Sequence, residues 1–90
     1  MDTESVLTQL KGVGNFFEVY KKTTFTGYRH SNGDGEQKVE VEILDAGQSG
    51  GRNRYHCKAT AVDSGKVATG NADSSLQTAL NILHWSELDK

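Results

Sequence analysis

The feature that most constrains the fold is the alternation of apolar and charged residues in KVEVEIL, residues 38 to 44. In a β-strand, Val39, Val41 and Ile43 would project to one side, and the charged residues between them would project to the other. A strand buried on both faces would read as a continuous apolar run instead. The pattern therefore predicts an antiparallel sheet with one face against a core and the other in water.

Other segments supply further strands. Residues 15 to 28 are rich in aromatic and β-branched residues, and Phe17, Val19 and Phe25 share one parity. Residues 54 to 62 alternate again, with Tyr55, Cys57, Ala59 and Ala61 predicted inward and Arg54, His56, Lys58 and Thr60 outward. DSGK predicts a tight turn, and VATGNA predicts a short fourth strand or the tail of a hairpin. The sheet should therefore have three or four strands.

Both ends of the chain read as amphipathic helices. Residues 3 to 11 place Val6, Leu7 and Leu10 on one face. Residues 74 to 88 begin with a capping-box pattern, Ser74 with Gln77, and carry a stripe of apolar side chains, Leu76, Ala79, Leu80 and Leu83. The predicted fold is α+β: a single domain over residues 1 to 90, a two-layer sandwich of helix, antiparallel sheet and helix. We expect both helices to cover the same face of the sheet.

Composition narrows the functional classes. The net charge is −2 and the pI about 5.8, whereas nucleic-acid binders are usually basic because they neutralise phosphates. Cys57 is the only cysteine, so no disulfide can form within the chain, and a reducing, cytoplasmic location is expected. The opening residues lack the pattern of a signal peptide, and no apolar run predicts a membrane span.

The Gly-rich stretch SNGDGEQ, residues 31 to 37, admits two interpretations. Asn32, Asp34 and Glu36 have a spacing that resembles a calcium loop, but the twelfth position of such a loop would be Ile43 instead of glutamate. Asn-Gly and Asp-Gly are also typical hairpin turns. We prefer the turn.

No catalytic or metal-binding pattern stands out. His30, His56 and His84 are scattered, and His56 and Cys57 would point to opposite faces of one strand. Cys57 is predicted to be a buried packing group rather than a nucleophile. The sequence therefore predicts no enzyme, no metal and no cofactor.

The candidate interaction surface lies on the open sheet face, its loops and the last helix. The open face would collect Tyr20, Lys22, Arg54, His56 and Lys58, although Glu40 and Glu42 would compensate the basic charges. Trp85 could seal the core or anchor a partner. The full candidate set is Tyr20, Lys22, Arg29, His30, Arg52, Arg54, His56, Lys58 and Trp85.

The order of elements resembles the double-stranded RNA-binding domain. SVLTQLKGVGNFFEVY is similar to that family's first helix and strand, GYRH to its Gly-Pro-x-His turn, and SGKVATGNADSSLQTALNILHWSEL to its last hairpin and helix. The resemblance implies the fold and RNA binding. However, DSSLQTA stands where the family carries a Lys-Lys-x-Ala-Lys cluster, and Asp73 would already occupy the positive end of the helix.

We therefore expect a small, non-catalytic interaction or accessory domain that binds another protein. The alternative is RNA binding through a basic patch formed by Lys21, Lys22, Arg29, His30, Arg52, Arg54 and Lys58. Unpaired sheet edges would also allow an edge-to-edge homodimer.

Overall fold

The chain forms an α+β domain with a helix at each end, as predicted. The computed structural model describes residues 2–30 and 35–89. Helices α1 (Thr3–Val13) and α2 (Leu76–Asn81) flank strands β1 (Lys21–His30), β2 (Glu36–Asp45), β3 (Tyr55–Ala61) and β4 (Val67–Thr69). Two short 3-10 helices, Gln48–Asn53 and Trp85–Asp89, complete the fold. The four strands form one antiparallel sheet in the order β1-β2-β3-β4, so β4 is a strand of the sheet.

The core lies between one sheet face and the C-terminal segments. Val39 of β2 and Ala59 and Ala61 of β3 are buried there, as predicted. Small side chains on the central strand let α2 and the 3-10 helix Trp85–Asp89 approach closely. The helical segments contribute Ala79, Leu83 and Leu88 to the same cluster.

Strand β1 begins later than predicted. Residues 15–20, predicted to begin this strand, are not part of one, and Phe17 is 90% exposed. The register gives the reason: Lys21 pairs with Asp45, the last residue of β2, so residues before Lys21 have no neighbouring strand. Phe25, in contrast, lies opposite Val41 and so shares the core-facing side of the sheet.

The last helix is shorter than predicted. It begins after Ser75, whose hydroxyl accepts a hydrogen bond from the Thr78 N–H, so Ser75 and not Ser74 is the N-cap. It ends at Asn81, and the chain then turns toward β4, where the His84 N–H donates to the Thr69 carbonyl oxygen at 3.1 Å. The helix does not continue because the backbone that follows it bonds to the edge strand β4 instead.

Helix α1 lies at one end of the sheet, whereas we expected it over the same face as α2. Its buried residue, Leu7, packs over Gly47 in the loop after β2. The Gln48 N–H donates to the Glu4 carboxylate at 3.0 Å, and Lys11 Nζ donates to Ser49 Oγ at 3.2 Å. A side chain at Gly47 would collide with Glu4 and Leu7, so the glycine permits this contact.

The opposite sheet face is open, as predicted. Glu40, His56 and Lys58 are exposed on it, and Glu42 is half-buried. The predicted turn after β1, residues 31–34, and with it the calcium-loop alternative, lies outside the described residues.

Candidate interaction surface

The nine candidate residues do not form one surface. Lys22, His30, His56 and Lys58 belong to the open face, whereas the other five are divided between the two ends of the sheet and the C-terminal helix. Each group has its own chemistry.

On the open face, Glu42 compensates the lysines. It lies directly opposite Lys58 in the β2–β3 register, as expected, and its Oε1 is 3.5 Å from Lys22 Nζ. Beside this carboxylate is a shallow groove of about 300 Å³, lined by Glu42, Leu44, His56, Lys58, Thr69 and Gly70. As far as the structure describes it, this face is therefore polar with mixed charge and carries no concentrated positive patch.

Arg54 does not face outward. It precedes β3 with helical backbone angles, and its guanidinium binds Asp45 through Nε at 2.8 Å and Nη2 at 3.3 Å. The group also lies over the Tyr55 ring, 4.9 Å from its centroid. Hydrogen bonds from Arg54 lower the pKa of Asp45, and the Gly47 N–H adds to this effect. Arg54 is thus a structural partner of Asp45 rather than a neighbour of Glu40.

Arg29 joins the first strand to the end of the chain. Its Nη1 donates to Asp89 Oδ1 at 2.9 Å and to Gln37 Oε1 at 3.0 Å. Gln37 in turn donates to the Leu88 carbonyl oxygen at 2.8 Å. Because Nη1 is already shared between two acceptors of the domain, this guanidinium is less available to a phosphate.

Tyr20 lies beside α1 instead of on the open face. With Lys21 and residues of α1 it lines a groove of about 330 Å³. Its hydroxyl donates to Glu18 at 3.2 Å. Desolvation raises the pKa of Tyr20, and the Glu18 charge contributes to the same shift. Arg52 is exposed in the 3-10 helix Gln48–Asn53, away from the open face.

Trp85 seals the core. Its indole Nε1 donates to the Leu80 carbonyl oxygen at 3.0 Å, and its ring packs against the buried cluster. The indole therefore already has its hydrogen-bond partner within the domain.

A groove beside β1 was missed from the sequence. It is a shallow cleft of about 240 Å³ on the helix side of the sheet, lined by Lys21, Thr23, Phe25, Ile43, Asp45, Tyr55 and Leu76. Phe25 is 56% exposed there, although it occupies the core-facing parity. The core-facing parity of Phe25 is evident in the sequence. Because α1 was expected to cover this face of the sheet, exposure of Phe25 was not predicted.

Side chains that could bind a metal ion or take part in catalysis are dispersed over the described part of the domain. In the part of the chain that the structure describes, residues 2–30 and 35–89, His, Cys, Asp and Glu side chains form no group of three that could hold a metal ion. Cys57 is 5% exposed, and its burial raises the pKa of the thiol. These features provide no argument for catalysis.

No helix within residues 2–30 and 35–89 is both long and apolar enough to cross a membrane. Comparisons with protein-family models, curated proteins and solved structures found no match to this chain.

Proposed function

We propose that this chain is a non-catalytic protein-binding domain whose partner contacts the helix side of β1 and β2. The single observation that carries the proposal is Phe25: an aromatic side chain that points to the core side of the sheet yet remains 56% exposed. On β2 and β3, the same face is covered by α2 and the C-terminal 3-10 helix. At β1 this cover reaches Arg29, which bonds Asp89, but it leaves more than half of the Phe25 side chain exposed.

The chemistry of the groove supports a protein partner. Phe25, Ile43, Tyr55 and Leu76 provide aromatic and aliphatic surface, and Lys21 and Asp45 provide charges at its rim. An apolar centre with a polar rim is the usual composition of a protein interface. Burying the exposed part of Phe25 would be favourable because apolar surface leaves water.

The lone cysteine is buried and reduced, which supports action in the cytoplasm. RNA binding, the alternative implied by the family resemblance, is weakened by the ion pairs of Arg29, Arg54 and Lys22. Each compensated cation would contribute less to phosphate neutralisation.

A matched pair of variants on one strand tests the proposal. Phe25→Lys changes the groove, and Tyr28→Lys changes an exposed aromatic, 69% accessible, on the opposite face of β1. Peptides selected on the wild-type domain from a random display library should lose binding to Phe25→Lys and retain it for Tyr28→Lys. Loss with Tyr28→Lys alone would place the binding surface on the open face and contradict the proposal.

A gel shift with duplex RNA tests the alternative function, RNA binding, against protein binding. A salt-dependent shift that disappears on reversing the charge of Arg52 and Arg54 would favour RNA, since such binding depends on neutralised phosphates. Both variants should first be shown to fold, because Arg54 also holds Asp45.

A further inference from the structure

Strand β1 is an open edge of the sheet. It is ten residues long and pairs with β2 on one side, and within residues 2–30 and 35–89 no strand lies on its other side. Among the described residues, its backbone makes no hydrogen bond with any element besides β2. Alternate N–H and C=O groups along β1 therefore point outward and can accept another strand.

The opposite edge is different. Strand β4 has three residues, and the Thr69 carbonyl oxygen already accepts the His84 N–H. A short, partly bonded edge offers little to an added strand. Of the two sheet edges, β1 is therefore the one that can accept an added strand.

The centre of β1 is β-branched and aromatic. Residues 23–26 are Thr-Thr-Phe-Thr, and Phe25 projects to the helix side, where it is 56% exposed. A strand added beside β1 would place every second side chain in the same layer as Phe25, next to the groove. β-Branched and aromatic residues pack best in such cross-strand positions.

The ends of β1 are basic. Lys21 and Lys22 lie at one end and Arg29 and His30 at the other, and the strand contains no carboxylate. Glu42 of β2 lies 3.5 Å from Lys22, whose side chain remains 57% exposed, and Asp89 of the C-terminal 3-10 helix binds Arg29 at 2.9 Å. The Lys21–Lys22 end of β1 therefore presents the more accessible positive charge to an incoming strand.

This charge pattern disfavours a second copy of the chain. In an antiparallel pair of β1 strands, the Lys21–Lys22 end of one copy would lie near Arg29 of the other. In a parallel pair, lysine would lie beside lysine. Like charges in directly opposed positions are destabilising, and edge lysines discourage self-association.

We infer that the β1 edge binds an extended segment of another protein, with β-branched or aromatic residues at its centre and acidic residues at its ends. This inference rests on the proposed function and specifies the partner of the same surface. The backbone of the segment would continue the sheet, its inward side chains would cover Phe25, and its terminal carboxylates would lie near Lys21 and Lys22 at one end or near His30 at the other.

Synthetic peptides of ten residues, the length of β1, provide the probe. An acetylated, amidated peptide of sequence EETVVVTVEE should shift the NMR amide signals of β1 and the ring signals of Phe25. A peptide with the same centre and lysine at both ends should bind about tenfold more weakly at low ionic strength. Equal affinities would overturn the charge assignment, and no binding of the acidic peptide would overturn the inference.

Alternate N-methylation isolates the backbone contribution. Two acidic peptides are made, one methylated at odd and the other at even central positions, so that only one loses the N–H groups facing β1. One peptide should lose about tenfold or more in affinity and the other should bind nearly as the parent does. Equal binding by both would exclude strand addition.

These outcomes separate the inference from the proposed function. If both methylated peptides bind equally but Phe25→Lys weakens them, the groove binds protein without strand addition, and only the inference fails. If Phe25→Lys has no effect on the parent peptide, the proposed function fails. Sedimentation equilibrium that shows a dimer broken by acidic peptide would assign the edge to a second copy and overturn the inference.

Discussion

Arg29 Nη1 lies 2.9 Å from Asp89 Oδ1, so the last residue of the C-terminal 3-10 helix is bound to the edge strand of the sheet. The two side chains are 32% and 15% exposed, which shields the pair from solvent more than most surface ion pairs. Gln37 adds a second connection by donating to the Leu88 carbonyl oxygen. Leu88, the residue before Asp89, is 2% exposed, so both contacts lie directly beside the core.

Replacing Arg29 by methionine should lower the free energy of unfolding by about 1–2 kcal/mol, because Asp89 and Gln37 lose a charged donor while the aliphatic stem remains. Urea denaturation measures this change. Arg52→Met, in the exposed 3-10 helix Gln48–Asn53, is the control and should change stability by less than about 0.5 kcal/mol. Equal effects in both variants would show that the Arg29 contacts contribute nothing specific.

Gly70 is required where β4 approaches the end of α2. A Cβ at this position would lie 2.9 Å from the Ile82 carbonyl oxygen and 3.3 Å from Leu83 Cα, both backbone atoms. Gly70→Ala should therefore destabilise the fold by about 1–3 kcal/mol. Gly12→Ala, in α1 with open space around its Cβ, should be neutral or stabilising by up to about 1 kcal/mol. Thermal unfolding of both variants checks the sign, and an unaffected Gly70→Ala variant would contradict the packing described.

Local patterns in the sequence predicted most of the sheet. The alternation around Val41 and Cys57 indicated which side of β2 and β3 faces the core, because strand periodicity alone determines it. DSGK predicted the turn between β3 and β4, and Gly65 indeed has a φ of 74°. These features are set by residues close together in the sequence, so local patterns are sufficient to predict them.

The relationships that the sequence did not reveal depend on distant contacts. The start of β1 is set by the end of β2 at Asp45, and the end of α2 by the hydrogen bond from His84 to Thr69. The position of α1 depends on Gly47, forty residues beyond Leu7. Phe25 became a candidate contact only because α1 lies elsewhere, so its exposure could not be inferred from periodicity.

Cys57 should be almost unreactive in the folded domain. The thiolate is the reactive form, and burial both raises the pKa of this thiol and limits access to it. Reaction with a chromogenic disulfide reagent should be about a hundredfold or more slower in buffer than in concentrated urea, because it requires opening of the domain. Variants that lower stability, such as Gly70→Ala, should accelerate it. Rapid labelling of stable wild-type protein would contradict the burial of Cys57.

The ion pair between Asp45 and Arg54 should give the domain a specific acid sensitivity. Hydrogen bonds from Arg54 lower the pKa of Asp45 in the folded chain, whereas in the unfolded chain it has the ordinary value of about 3.9. The carboxylate therefore stabilises the fold fully above that value, and its contribution is lost as the pH falls through the lower, folded pKa. Asp45→Asn should lower the free energy of unfolding by about 1 kcal/mol at neutral pH.

The difference between wild type and Asp45→Asn should be constant above about pH 5 and should shrink as the solution is acidified toward about pH 2. Urea denaturation at a series of pH values measures it. Asp63→Asn, in the exposed turn after β3, is the matched control for the loss of one carboxylate and should leave the free energy of unfolding close to that of the wild type. A difference for Asp45→Asn that persists unchanged into acid would mean that this side chain acts through its shape and neutral hydrogen bonds rather than through its charge.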